Sequence, residues 1–462
     1  MAASAPAIQQ SVFKEGLMPR RFIGPWLLVS FLFFLWGLLY GLLDTLNAHL
    51  RSVLGVTRTQ STGLQAAYFG VGYFLFSPVA GWVLKRRGYK VTIIMGLVLY
   101  STGAILFWPV ARESMKPDAN KQGIFGGFVV LTALTACGLA SLEVSANSYI
   151  TVMPPQGVSA LRLQLSQGFN GIGSFAGPLI ASKYFFSDGH DDDLNNVQWV
   201  YLAVSAVGFI LAFVFLIYPL PEVHEDELVF DTNEPRKPLW KETRALSAAV
   251  AQFMYVGAQV MLASFFIFLA EDAGINHARG SELLSYSLIM FTIGRFLSVA
   301  LMVIWPGAVV LFGYTLLSLL FTILTASLSG MTGVAMLMIV MFFESCIYPC
   351  IFAMGTAGLG QNTRRGGSLI VMGVVGGAVF PPAQMAIADR WNTRVSYFLV
   401  VPCFVYIAGW AVYIWHIDGR KMINLGKADD SSSVSSASTA VETGLDGLET
   451  PVNEKETIKI EV

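Results

Sequence analysis

The chain has 462 residues, 55% of them hydrophobic and only 13% charged, with a mean hydropathy of +0.61. A soluble domain is usually about one-quarter charged, so an ordinary water-soluble fold is excluded. The formal net charge of −1 argues against nucleic acid or a strongly charged partner.

The residues before Phe22 are polar and show no cleavable signal, so the first apolar run is expected to remain as a span. Hydropathy sets spans at 22–50, 60–84, 90–111, 124–152, 161–184 and 197–220 in the first half of the chain. In the second half they fall at 246–270, 281–304, 308–328, 331–358, 367–388 and 396–417. This predicts an all-α membrane protein of twelve transmembrane helices in two six-helix halves, 22–220 and 246–417. A short segment (1–21) precedes them, a polar central loop (221–245) joins them, and a serine- and acid-rich tail (418–462) follows. The tail has too little apolar content to offset chain entropy and is expected to be disordered.

Lysine and arginine in short loops set orientation. Arg20 and Arg21, the cluster Lys85, Arg86, Arg87 and Lys90, and the pair Arg364 and Arg365 place both termini and the central loop in the cytoplasm. Asp188, Asp191, Asp192 and Asp193 mark an outer loop, while Arg51, Arg58, Arg390 and Arg394 depart from the rule. The plasma membrane is the expected location.

Two carboxylates sit where a membrane protein least tolerates them, Asp44 in the first span and Glu143 in the fourth. An ionisable group near mid-bilayer costs roughly 2.5–3.5 kcal/mol on insertion scales, so the pair would cost on the order of 5–7 kcal/mol facing lipid. That approaches the whole stability of a typical domain, and a buried polar pathway is the better reading. A carboxylate in a low-dielectric setting can exchange protons as its exposure changes; the bland alternative for Asp44 is a hydrogen-bonded acid near a helix end.

A weak internal repeat supports a two-half design. The fourth span reads LEVSANSYITVMPP from Leu142, and the tenth reads FESCIYPCIFAMG from Phe343. Each is followed by a Gly-rich stretch ending in proline, GIGSFAGP from Gly171 and GVVGGAVFPP from Gly373. Two repeated six-span units with a site between them is a recurring plan among membrane carriers. Chance likeness between apolar helices is the competing explanation.

Asn147 lies one turn beyond Glu143, so both occupy one helix face. A carboxylate and an amide together suit vicinal hydroxyls, although a polar clamp between helices would use the same pair. Gln164, Gln167 and Asn170 recur every three residues, with Ser174 one turn further. Such a stripe, Gln164, Gln167 and Asn170 alike, lines a cavity or makes an interhelical seam. Gln259 is a weaker candidate of the same kind. Tyr348, one turn past Glu344, could stack on a sugar's apolar face or simply pack. Gly81 and the cations Lys85, Arg86, Arg87 and Lys90 read as a gating loop, since cations favour helix C-terminal carbonyls, or as a topology signal alone. Arg295 is a lone cation inside an apolar span and needs a carboxylate or carbonyl partner.

The four cysteines all fall in apolar runs without metal-type spacing and read as reduced thiols. None of the five histidines lies deep in a span beside a partner, which argues against an enzyme. No cofactor or metal is implied.

Taken in order, these stretches become recognisable. GWVLKRRGYK from Gly81 resembles the basic loop between helices two and three of the major facilitator superfamily. FFLW from Phe33 followed by Asp44, YFGVGYF from Tyr68, LEVSAN from Leu142 and RLQLSQGFN from Arg162 resemble its fucose:proton symporter family. AQFMYVGAQ from Ala251, IGRF from Ile293, and YPCIF, GLGQNT and SLIVMGVVGG between Tyr348 and Gly377 continue the match in family order. The resemblance implies that Asp44 carries the coupling proton, and that Glu143 belongs to the sugar site and its coupling. It further implies symport of a monosaccharide (L-fucose or a related hexose) with protons by a monomer in the bilayer. A uniporter, a proton-coupled antiporter of another solute and a non-transporting sugar sensor remain alternatives. Two departures bear on the substrate. Gly41, Leu42 and Leu43 stand where bacterial members carry asparagines, and Glu344 is an extra acid. Glu344 is read either as a sugar ligand facing the same cavity as Glu143 or as the counter-ion of Arg295. The connection at 304–307 also lacks the expected basic residues.

Overall fold

The computed structural model describes residues 16–54, 63–113, 116, 120–184, 195–222 and 238–420. Residues 39–54 belong to the first helix by backbone alone, so the side chain of Asp44 lies outside the described residues, as does the tail beyond 420.

A chain crossing hydrocarbon must satisfy its own backbone, and the helix does this within one segment. The described residues accordingly form twelve helical rods in sequence. The first six are α1 (Arg20–Leu54), α2 (66–87), α3 (89–113), α4 (Lys121–Val152), α5 (Ser159–Tyr184) and α6 (Asn195–Ile217). The next three are α7 (Thr243–Ser264, continued by Phe266–Asp272), α8 (His277–Ile304) and α9 (Gly307–Ser327). Rod α10 comprises Gly330–Glu344 and Ile347–Thr356. Rod α11 joins Thr363–Met372 to Gly376–Arg390 through a 3-10 turn, and α12 joins Thr393–Ser396 to Val401–Ile417 in the same way. The span read at 331–358 is interrupted at Ser345 and Cys346, beside a carboxylate, by a turn whose backbone angles stay in the right-handed helical region.

Asparagine starts three of the even-numbered rods. Asn120, Asn276 and Asn392 each accept a hydrogen bond from the backbone N–H three residues on, at 3.1, 2.8 and 2.8 Å. This satisfies donors that a helix start leaves unpaired.

Rods α2 and α3 meet at Gly88, whose φ of 82° is left-handed, a conformation that only glycine adopts cheaply. The Glu222 carboxylate then accepts from the N–H groups of Tyr89 and Lys90, both at 3.1 Å. An anion is thus seated on the start of α3, where the helix dipole favours it. Further along, α3 and α4 cross closely; a Cβ on Gly138 would lie 2.7 Å from the Gly96 carbonyl oxygen. Small residues allow such crossings where lipid provides no hydrophobic drive for helices to associate.

Large apolar side chains such as Leu75, Phe213, Ile217 and Val405 stand exposed on the bundle, as a lipid-facing surface requires. Nine described helices are long and apolar enough to cross a membrane, one of them the double run Gly63–Glu113. All four cysteines are free thiols, three of them buried.

Two seams join the halves. Along α5 and α8, Gln164 donates to the Ser298 hydroxyl at 2.7 Å, and a Cβ on Gly168 or Gly171 would press on Phe296 or Thr292. Along α2 and α11, a Cβ on Gly81 would meet Ser368 at 2.5 Å.

Candidate functional site

Between these seams lies a cavity partly open to solvent; its total space, that open solvent included, is about 810 Å³. The first half contributes Trp36 from α1, Tyr68, Phe69 and Tyr73 from α2, Glu143 from α4, and Gln167, Asn170 and Ser174 from α5. The second half contributes Gln259 from α7, Phe291 and Arg295 from α8, and Glu344 and Tyr348 from α10, with apolar side chains between them. Tyr68, Phe69 and Tyr73 stand on a π-helical stretch, Ala66–Leu75, a wider winding that recurs at functional sites.

The two carboxylates dominate the chemistry. Glu143 and Glu344 are 2% and 0% exposed, and no described residue donates a hydrogen bond to either oxygen of either one. The Tyr73 hydroxyl stands close enough to Glu143 to act as a weak donor, short of strict hydrogen-bond geometry. It also lies 3.4 Å from the Tyr68 hydroxyl. Burying acceptors this strong without donors is costly, and a site that receives a donor-rich ligand explains the arrangement. The Trp36 indole N–H and the Tyr348 hydroxyl on the same walls also lack partners. Their rings meet edge to face at 6.4 Å, and Tyr348 meets Tyr255 likewise at 6.3 Å. Acceptors, donors and flat apolar faces thus converge from both halves, which matches a polyhydroxylated ring.

The amide stripe divides. Gln164 belongs to the seam, whereas Gln167 and Asn170 serve both seam and cavity. Asn147 does not reach the cavity wall; it sits behind Gln167 and accepts from its amide at 3.3 Å. Arg295 donates to the Gln167 carbonyl, to Asn170 Oδ1 at 3.0 Å, to Gln167 Oε1 at 3.4 Å and to the Ser345 carbonyl at 3.1 Å. It makes no hydrogen bond to Glu344, so the partners of Arg295 are carbonyls and amides. The Coulombic attraction between the two side chains remains.

In the basic loop, Arg86 stacks over the Trp82 ring at 4.5 Å. At this end a cation from the second half reaches the first. Buried Arg364 on α11 donates to the Leu84 carbonyl at 3.3 Å and lies 4.7 Å over the Tyr89 ring. The attraction of a cation to a helix C-terminus is present between Arg364 and the end of α2.

Sequence reasoning passed over Arg162 and Trp36. Arg162 is fully buried and donates to the carbonyls of Ile150, Met153, Pro154 and Pro155 at the end of α4, and to that of Leu17. Its signal was available, since an arginine just after a double proline has a helix end to cap. Trp36 carried no such signal among so many aromatics.

These features define a polytopic helical membrane protein with a largely apolar cavity, set with buried acids and amides, between two six-helix halves. The chain belongs to the Major Facilitator Superfamily, whose family model matches residues 25–370. It is 30% identical over 424 residues to an L-fucose-proton symporter of Escherichia coli, covering 86% of this chain and 94% of the relative. It is 29% identical over 388 residues to a glucose/galactose transporter of Brucella abortus, covering 82% and 91%. Its fold superposes on the crystal structure of the transporter FucP in the outward conformation with a TM-score of 0.74 and 28% identity, over 86% of this chain and 99% of that one.

Proposed function

We propose that the protein is a proton-coupled symporter for a neutral monosaccharide, L-fucose or a related hexose, working by alternating access. The observation that carries this reading is the pair of partnerless carboxylates, Glu143 and Glu344, facing one cavity from opposite halves beside Trp36 and Tyr348. The relatives named for fucose-proton symport and for glucose/galactose transport support the same substrate class.

In this reading Glu143, Gln167, Asn170, Gln259, Glu344 and Tyr348 hold the sugar, and Asn147 orients Gln167. Asp44 and Glu143 exchange the proton. The contacts of Arg364 with Leu84 and Tyr89 close the cytoplasmic end and break when the halves rock. The protein works as a monomer in the plasma membrane with both termini in the cytoplasm; the clustering of basic residues beside that seam supports the orientation.

The test is uptake of a sugar panel into proteoliposomes with and without an imposed pH gradient. Concentrative uptake that follows the gradient is expected. Uptake indifferent to the gradient would make it a uniporter, and binding without uptake a sensor.

A further inference from the structure

Arg295 occupies a position that the transport reading leaves unused. It is buried within α8 and stacks at 4.5 Å over the Phe291 ring. A cation so placed needs anions or carbonyls. Glu344, its neighbouring carboxylate, is not hydrogen-bonded to it. The Arg295 side chain instead spreads its donors over two elements. Nε reaches the carbonyl of Ser345 at the break in α10, and Nη1 reaches Gln167 and Asn170 on α5.

Those two amides then pass the constraint on. Gln167 donates to Asn147, one turn from Glu143, at 3.3 Å, and Asn170 donates to the Phe33 carbonyl on α1 at 3.3 Å. One hydrogen-bonded chain therefore runs from the residue after Glu344 to the helix that carries Glu143. A branch ends one turn before Trp36.

We infer that Arg295 is a positioning residue for the substrate cavity: it ties the amide pair of the first half to the broken helix of the second and so leaves both carboxylates for the ligand. This rests on the sugar-transport reading of the cavity. The guanidinium fork is what the geometry requires, because one planar group must serve carbonyl and amide acceptors on two helices. A lysine offers a point charge and does not span them. If Arg295 served only to neutralise Glu344, charge alone would suffice.

The experiment is calorimetric binding of L-fucose, D-galactose and D-glucose to the purified full-length protein, with melting temperature recorded for each variant. Arg295→Lys and Arg295→Met are both expected to weaken binding roughly tenfold to hundredfold, the scale of one or two charged hydrogen bonds. Adding Asn170→Ala to Arg295→Met is expected to weaken it no further, since contacting residues are non-additive. Wild-type affinity in Arg295→Lys, or recovery of Arg295→Met by Glu344→Gln, would overturn the inference in favour of charge balance. Should the Arg295 variants fail to accumulate, Glu344→Gln alone decides. An unchanged melting temperature supports positioning, and loss of folded protein shows that Arg295 needed the charge. If the wild-type protein binds no sugar at all, the transport reading fails. The coupling of Arg295 to Asn170 is then read from melting temperatures, and additive shifts would overturn it.

Discussion

The two halves place a carboxylate on the same cavity by different means. Glu143 sits in an unbroken helix of 32 residues, α4, whose far end is fastened by four of the carbonyl bonds of Arg162. Glu344 is the last residue before a break in α10, and α7, α11 and α12 are interrupted as well. The break frees backbone carbonyls that side chains then use: Tyr255 donates to the Glu344 carbonyl at 3.2 Å, and Arg295 to that of Ser345. A continuous wall thus faces a jointed one. Discontinuous helices at a midplane site are a recurrent feature of carriers.

The largest effect tests whether the first half also drives coupling. Asp44→Asn is expected to abolish uphill uptake while exchange of labelled sugar across gradient-free proteoliposomes persists. Concentrative uptake by this variant would remove Asp44 from the mechanism. Next, Glu143→Ala should lower sugar affinity by roughly tenfold to hundredfold, given about 1.5–3 kcal/mol for each hydrogen bond to a charged group. Calorimetry giving an unchanged dissociation constant would make Glu143 a clamp rather than a ligand.

Smaller effects sharpen the contrast. Glu344→Gln keeps shape and should leave the protein abundant, altering the ranking of sugars in competition assays by several-fold rather than abolishing binding. An unaltered ranking would deny the jointed wall its role in selection. Gly88→Ala forces a Cβ into a positive-φ, extended-ψ conformation that essentially only glycine adopts, at about 1–3 kcal/mol, and would place it 2.8 Å from the Glu222 carboxylate. A fall of several degrees in melting temperature is expected. The smallest change should come from Asp418→Asn. The pair Arg244–Asp418 is bidentate at 2.9 and 3.0 Å, but Asp418 is 45% exposed, and exposed pairs contribute about 1 kcal/mol or less.

The architecture was legible because hydrocarbon imposes its own grammar: twelve apolar runs became twelve rods. What hydropathy did not reveal was where rods break, since Ser345 and Cys346 are as compatible with helix as their neighbours and the break is set by tertiary contacts. The acids and amides were legible by their cost in lipid. Their partners were not. Nothing in sequence spacing tells that Arg295 reaches α5, 125 or more positions away, or that Asn147 stands behind Gln167 on the next helix, because both depend on how packed helices are rotated against each other. Trp36 was invisible for a simpler reason, being one aromatic among many with its unpaired N–H apparent only once its surroundings are known.

The bond from Arg162 to the Leu17 carbonyl has a temporal consequence. The residues that enter α1 are held by a side chain emerging 145 positions later. At roughly 5–20 residues per second of synthesis, the first helix waits on the order of ten seconds or more before its entry can be fastened. Until then the approach to α1 lacks this anchor. A substitution at Arg162 should therefore act most strongly during biogenesis, lowering yield far more than it alters transport by the molecules that complete assembly.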